Sequence, residues 1–286
     1  MSAIAYQGVT GAFSEEAAAA FAEPGDTLLP CATFAEMFDA VASGAARAGA
    51  APVENTLAGA VTPCWDLLAE RDLRVTGETL VRVSHALVGR PGASIAGLRR
   101  VLSHPVALQQ CERFFRAHPN ITAVPVFDTA GAVVQVLREQ DPAQAALASE
   151  RAARLHGGEV LARALEDHPA NFTRFFRIAR AGAAPATAGG KVALAFRARN
   201  VPGALWRSLR PFAERGLQLA RIESRPLRHT PFEYLFFIEV LGGEDGAALA
   251  AAVEELRAEA LELRELGRFA PAGPAPGREL PPGPQG

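Results

Sequence analysis

Short apolar runs of strand length alternate with amphipathic helices through the first 180 residues of this 286-residue chain. That order commits the chain to layered α/β architecture with largely parallel sheets. The alternation stops at residues 181–190, AGAAPATAGG, which carry neither charge nor periodicity and read as a linker. Beyond it, strand, helix, two strands, helix and a last strand predict a ferredoxin-like βαββαβ unit over residues 191–270. Its last strand, near 261–269, competes with an alternative, because LAAAVEELRAEALELREL also satisfies helical periodicity. The Pro- and Gly-rich residues 271–286 have almost nothing to bury and are expected to be disordered.

Charge and composition remove several function classes. With 29 Lys+Arg against 31 Asp+Glu and 7% aromatics, the chain offers neither a basic footprint for a phosphate backbone nor stacking platforms for bases. Its first residues have no export signal, and no apolar stretch is long enough to span a bilayer, so a cytoplasmic protein without membrane or nucleic-acid partners is expected. Cys31, Cys64 and Cys111 lie far apart with no CxxC pair, which predicts buried thiols and no disulfide framework or thiolate metal site.

Within the first 180 residues, a strand at 4–6 and a turn with Gly8 and Gly11 lead to a helix opening at Ser14. Thr33 and Glu36 have capping-box spacing ahead of an apolar stripe of Phe34, Met37, Phe38 and Val41 that Gly44 ends. Residues 80–90 alternate as one strand, residues 99–102 form another, and a helix over 105–117 turns Leu108, Cys111 and Phe115 inward. A strand at 123–127, a helix from Thr129 and a buried run at 145–149 continue the pattern.

Four polar clusters follow these strands: Pro52-Val53-Glu54-Asn55-Thr56, Ser103-His104-Pro105, Asp128-Thr129 and Asn171-Phe172-Thr173-Arg174-Phe175. Each of the first three, taken alone, is also an ordinary cap or turn. In the fourth, extended alternation directs Asn171, Thr173 and Phe175 to one face and Arg174 to the other. Hydroxyls, amides and helix starts at several strand ends amount to an anion-binding cleft. No cluster contains a nucleophile–base pair, a metal-binding His/Glu set or a phosphate loop, so chemistry without metal or cofactor is expected.

In this order the clusters resemble the prephenate dehydratase family. The likeness is carried by IAYQGVTGAFSEEAA at 4–18, PVENTLAGAV at 52–61, SHPVALQQC at 103–111, DTAGAV at 128–133 and NFTRF at 171–175. PGAL at 202–205 and IESRP at 222–226, followed by EYLFFIEV, look like the ACT regulatory domain attached to these enzymes. The family often has Gln after SHP where this chain has Val106, which implies a packing change there.

The resemblance implies a catalytic part of two α/β lobes like a periplasmic solute-binding fold. Lobe 1 is expected at about 1–80 and 160–180 and lobe 2 at 81–159, with the active site between them. It further implies decarboxylative dehydration of prephenate to phenylpyruvate in phenylalanine biosynthesis, with Thr173 as the essential threonine. Because the chain opens at IAYQG, dehydratase activity without a fused chorismate mutase is expected. Asn55, Thr56, Ser103 and Thr129 are expected to hold substrate carboxylates, with His104, Glu54, Arg174 and Phe175 as further candidates around them. For the ACT unit the resemblance implies an L-phenylalanine effector bound by Asn200, Gly203, Ala204, Leu205, Glu223, Ser224, Arg225 and Pro226, between subunits of a homodimer or homotetramer. Arogenate as substrate, or amino-acid binding without catalysis, are the alternatives.

Overall fold

The computed structural model describes residues 2–182, 190–227, 230, 233–242 and 246–272. Most of the linker expected at 181–190 and nearly all of the tail expected at 271–286 lie outside the described residues. In chain order the elements are β1 (Ala3–Gln7), α1 (Phe13–Ala20), β2 (Thr27–Cys31), α2 (Phe34–Ser43), β3 (Ala48–Asn55), β4 (Gly59–Ala60), α3 (Thr62–Glu70) and β5 (Leu73–Arg82). There follow β6 (Ala86–Gly89), β7 (Arg100–Ser103), α4 (Pro105–Gln109), α5 (Glu112–Ala117), β8 (Thr122–Pro125), α6 (Thr129–Glu139), β9 (Gln144–Ala148), α7 (Glu150–His156), β10 (Glu159–Ala162) and β11 (Phe172–Arg180). The last elements are β12 (Lys191–Arg197), α8 (Ala204–Ala213), β13 (Leu219–Pro226), β14 (Tyr234–Leu241), α9 (Ala247–Glu259) and β15 (Glu262–Phe269).

These strands form three sheets, in the orders β2-β1-β3-β11-β5 with β4 attached to β3, β10-β6-β9-β7-β8, and β13-β14-β12-β15. The described residues cluster into two compact units, one of residues up to 64 with 79–175, the other of 65–78 with 176–272.

In the first unit, β1 runs parallel to β2 and β3, and β7 parallel to β8 and β9. The second sheet is mixed, because β6 pairs antiparallel with both β9 and β10. The strand β6 enters directly from β5 of the first sheet, with no helix between them. Residues 80–90 are therefore two strands and not one. The break at 83–85 is where the chain passes from the first sheet to the second. It returns through the segment after β10, and the two passages are tied by the Val83 amide donating to the Asn171 carbonyl at 2.8 Å and the Leu165 amide to the His85 carbonyl at 2.9 Å.

Packing against the second sheet explains its alanines. Ala86, Ala146 and Ala148 meet Ala130, Ala132, Val133, Ala152 and Ala153 in one buried cluster, so the helices lie close to the strands. On the opposite side Leu87, Val101, Ala145 and Leu147 pack with Leu108, Cys111 and Phe114. Two expectations change here. The helix over 105–117 is interrupted at Cys111, whose ψ of 33° lies outside the helical range, and the interruption buries Phe114 while Phe115 is only half-buried. The first helix opens at Phe13 with no side-chain cap from Ser14; the Glu15 carboxylate instead reaches back to accept from the Gly11 amide at 2.8 Å. Thr33 caps α2 as its spacing predicts, accepting from the Glu36 amide at 3.1 Å.

In the second unit, α8 and α9 cover one face of an antiparallel sheet whose core is Val192, Leu194, Phe196, Phe212, Ile238, Val240 and Leu256. The ambiguous stretch resolves as helix then strand. Ala260 is extended, and β15 pairs along the whole of β12, so ladder bonds and burial of Leu266 and Phe269 override the helical period. Gly267 is required by packing: a Cβ there would lie 2.1 Å from the Val75 carbonyl oxygen. Residues 65–78 belong to this unit, where Trp65 stacks edge-on against Phe176 and Lys191 bridges the buried Glu78 and Glu239.

The three cysteines are buried, separate thiols. Burial pushes the Cys111 thiol up to about 12 and raises Cys31 and Cys64 as well. Among the described residues no helix is long and apolar enough to cross a membrane.

Candidate active site

Where the chain crosses between its first two sheets, the first unit carries an open cavity of about 630 Å³. Five helices present their first residues to its wall: Phe13 and Ser14, Thr33 and Phe34, Thr62 and Pro63, His104 and Val106, and Asp128 and Thr129. The lining residues include no lysine or arginine. Positive potential for an anion here comes from helix starts and oriented N–H groups.

One wall is a directional hydrogen-bond network. Asn55, at the end of β3, has its Oδ1 fixed as an acceptor by the backbone amides of Leu57 at 3.0 Å and Ala58 at 2.8 Å. Its Nδ2 must then donate, and it reaches Asn171 Oδ1 at 2.9 Å and Thr173 Oγ1 at 3.0 Å. The Thr173 oxygen is thereby occupied as an acceptor, and among the described residues no protein group accepts its proton. That proton is left to donate into the cavity, which Thr173 lines. Asn171 is fully buried, as extended alternation from Thr173 requires.

The remaining predicted residues divide. His104, Thr129 and Phe175 line the cavity with Asn55 and Thr173. His104 caps α4 by accepting the Val106 amide on Nδ1 at 3.3 Å, so its neutral ring carries the proton on Nε2; partial burial lowers its pKa against the pull of Asp128. Asp128 accepts from the Gly131 amide and so opens α6 at Thr129.

Glu54, Thr56, Ser103 and Arg174 are not among the lining residues. Glu54 and Arg174 pair with each other at 2.9 Å, on the strand face opposite Thr173. The Thr56 hydroxyl donates to the Ala170 carbonyl at 2.7 Å and accepts from the Phe172 amide at 3.0 Å, tying β3 to the approach to β11. Ser103 is fully buried and donates to the Leu147 carbonyl at 2.6 Å, locking β7 to β9.

Two further residues of the wall, Gln110 and His85, carry no cap or turn pattern in the sequence. Gln110 donates to Asn55 Oδ1 at 3.2 Å and accepts from Asn171 Nδ2 at 2.8 Å. His85 contacts Gln110 Oε1 through Nε2 at 3.0 Å and is 2% exposed. A signal existed for His85: it occupies the inward register set by Val81 and Val83.

The prephenate dehydratase family model matches residues 4–183 and the ACT domain model residues 192–258. The chain belongs to the prephenate dehydratase family. Among its prephenate dehydratase relatives, the bifunctional N-acyl-homoserine lactone acylase/prephenate dehydratase of Komagataeibacter europaeus is 39% identical, over 95% of this chain and 96% of that protein. Arogenate dehydratase/prephenate dehydratase 2 of Arabidopsis thaliana is 37% identical, over 93% of this chain and 72% of that one. The crystal structure of prephenate dehydratase from Arthrobacter aurescens in complex with L-Phe superposes with a TM-score of 0.85 at 33% identity, covering 94% of this chain and 90% of that one.

The ACT match falls on the second unit and its predicted effector residues. Gly203, at φ 77°, opens α8, with Ala204 buried and Leu205 packed on the sheet core behind it, and Asn200 is exposed just before. On edge strand β13, Glu223 pairs with Arg221 and Arg225 pairs with Asp66 at 2.9 Å, while the alternate residues Ser224 and Pro226 are exposed.

Proposed function

We propose that the cavity converts prephenate to phenylpyruvate, with Thr173 as hydrogen-bond donor to the departing ring hydroxyl. The observation that carries this reading is the Asn55-to-Thr173 hydrogen bond of 3.0 Å, which turns the threonine proton outward. In the reaction the bond to one carboxyl group breaks to release carbon dioxide, and its electron pair enters the ring. The ring C–O bond breaks as the ring becomes aromatic, and the hydroxyl leaves as water after taking up a proton. Negative charge grows on that oxygen, so a preplaced donor strengthens its hold in the transition state. Helix starts at Thr129 and His104, and the His104 Nε2–H, are the groups we assign to the substrate carboxylates. Glu54, Thr56, Ser103 and Arg174 we assign to shaping the wall from behind.

We assign catalysis to residues 1–180, regulation to 191–270 and their connection to 181–190, in a cytoplasmic homodimer or homotetramer. L-Phenylalanine is the proposed effector of the ACT unit, supported by the ligand named with the Arthrobacter structure. Arogenate is the second reading of the substrate, favoured by the name of the Arabidopsis relative.

The test is ultraviolet detection of phenylpyruvate from prephenate without added metal, with and without phenylalanine, and kcat/KM for arogenate measured beside it. Turnover suppressed by phenylalanine is expected. Thr173→Ala should lower kcat by about 10²-fold or more, the scale of a lost proton or oxyanion donor. Near-wild-type kcat in that variant removes Thr173 from the mechanism, and inertness toward both substrates moves the chain to amino-acid binding without catalysis.

A further inference from the structure

His85 is buried at the point where the chain first crosses between the two α/β sheets, and it lines the same cavity as Thr173 with no hydrogen bond between the two. Its tautomer follows from the backbone. The amides of Leu57 and Ala58 force Asn55 Oδ1 to accept, so the Gln110 atom facing it at 3.2 Å must be the donor Nε2. Gln110 then turns Oε1 toward Asn171 Nδ2 at 2.8 Å and His85 Nε2 at 3.0 Å. Only a protonated Nε2 satisfies that oxygen from the histidine side. The neutral ring consequently carries a bare Nδ1, and Nδ1 has no partner among the described residues. Burial lowers the ring's pKa, against smaller opposing effects of Gln110 and of Glu166, so the neutral form prevails at neutral pH.

We infer that His85 is a positioning residue for Thr173: its Nε2–H completes the hydrogen bonds of Gln110 Oε1 and so braces the relay His85 to Gln110 to Asn55 to Thr173, whose sense the Leu57 and Ala58 amides set. Without that donor, Gln110 Oε1 keeps one partner, Asn171 Nδ2, and the Gln110 side chain is held less firmly against Asn55 Oδ1. A less firmly held Gln110 braces Asn55 less well, and the grip of Asn55 on Thr173 loosens. The effect falls on the reacting geometry and so on kcat. The inference rests on the dehydratase reading of the cavity.

The test compares His85→Gln, whose amide nitrogen reaches the place of Nε2, with His85→Asn, whose amide lies at the place of Nδ1, and His85→Phe, which has neither. Expected are a kcat for His85→Gln within about 3-fold of wild type and losses of about 10-fold for the other two with little change in KM, the scale of one misplaced hydrogen bond. His85→Phe added to Thr173→Ala should cost nothing further, because the relay acts only through that hydroxyl.

Wild-type kcat in His85→Phe overturns the inference, as does an equal loss in the Thr173→Ala background. Activity in His85→Asn but not in His85→Gln also overturns it, since Nδ1 would then act on the ligand directly. Nitrogen-15 NMR of the wild-type imidazole decides independently of turnover. A neutral ring protonated on Nε2, with no titration around the ordinary value of about 6.5, is expected. A proton on Nδ1, or an ordinary titration, refutes the relay even if prephenate is not the substrate, whereas inertness toward prephenate and arogenate with the expected spectrum counts against the functional reading alone.

Discussion

A threonine hydroxyl can turn its proton toward a protein acceptor or toward a ligand, and here the choice is made two residues away. Leu57 and Ala58 amides hold Asn55 Oδ1, and Asn55 Nδ2 occupies the Thr173 oxygen. Asn55→Asp keeps the acceptor for both amides but replaces the donor with a second acceptor, so Thr173 would donate to the aspartate. We expect kcat to fall about 10-fold or more with the fold retained, comparable to other lost donors; steady-state kinetics beside a circular-dichroism melt check this, and unchanged kcat would count against the direction of the bond. Asn55, Thr173, His104 and Thr129 were legible in the sequence because each is a polar cap type at the end of an apolar strand. Gln110 and His85 were not, since each sits inside a run whose periodicity was accounted for by packing. What makes them part of the site is mutual contact between residues 25 apart in the chain, which no local pattern records.

At the level of elements, alternation and cap chemistry placed most helices and strands, and they failed where a tertiary contact overrules the local period. The strand at 80–90 breaks because the chain changes sheets at 83–85, and the helix at 105–117 breaks where the Gln110 carbonyl accepts the Asp167 amide at 2.7 Å. The opening of α6 is the opposite case, fully local. Asp128 caps it through the Gly131 amide, and a Cβ at 131 would stand 3.0 Å from the Asp128 carboxylate. Gly131→Ala should therefore displace the cap despite alanine's better helix propensity. Loss of a cap of this kind costs about 1 kcal/mol, which corresponds to a fall in Tm of about 2–4 °C in a chain of this size. Differential scanning calorimetry decides, and a rise in Tm would show that propensity outweighs the cap.

Across the whole molecule, burial holds two histidines and three cysteines toward their neutral forms while hydrogen bonds and an ion pair hold three carboxylates charged, and together these fix the shape of the stability–pH curve. Burial lowers the pKa of His85 and His104 in the folded chain. Unfolding frees them to take up protons, so the stability they leave intact above about 6.5 is lost as pH falls below it. Asp26 beside Arg47, Asp141 beside the Ala143 amide, and Glu139 beside Gln135 are held below the usual carboxylate range, so their contribution is present above about 4 and disappears at lower pH. On the alkaline side, Cys31, Cys64 and Cys111 have raised pKa values, and unfolding lets them ionise above about 8.5. A dome with its maximum between about 6.5 and 8.5 follows. Urea midpoints measured across pH in a reducing buffer should show it, and in His85→Gln the limb just below 6.5 should become shallower while the carboxylate limb stays in place. A wild-type midpoint that stays level from pH 7 down to the carboxylate range would mean that His85 titrates in the fold as it does in water, which its burial does not allow.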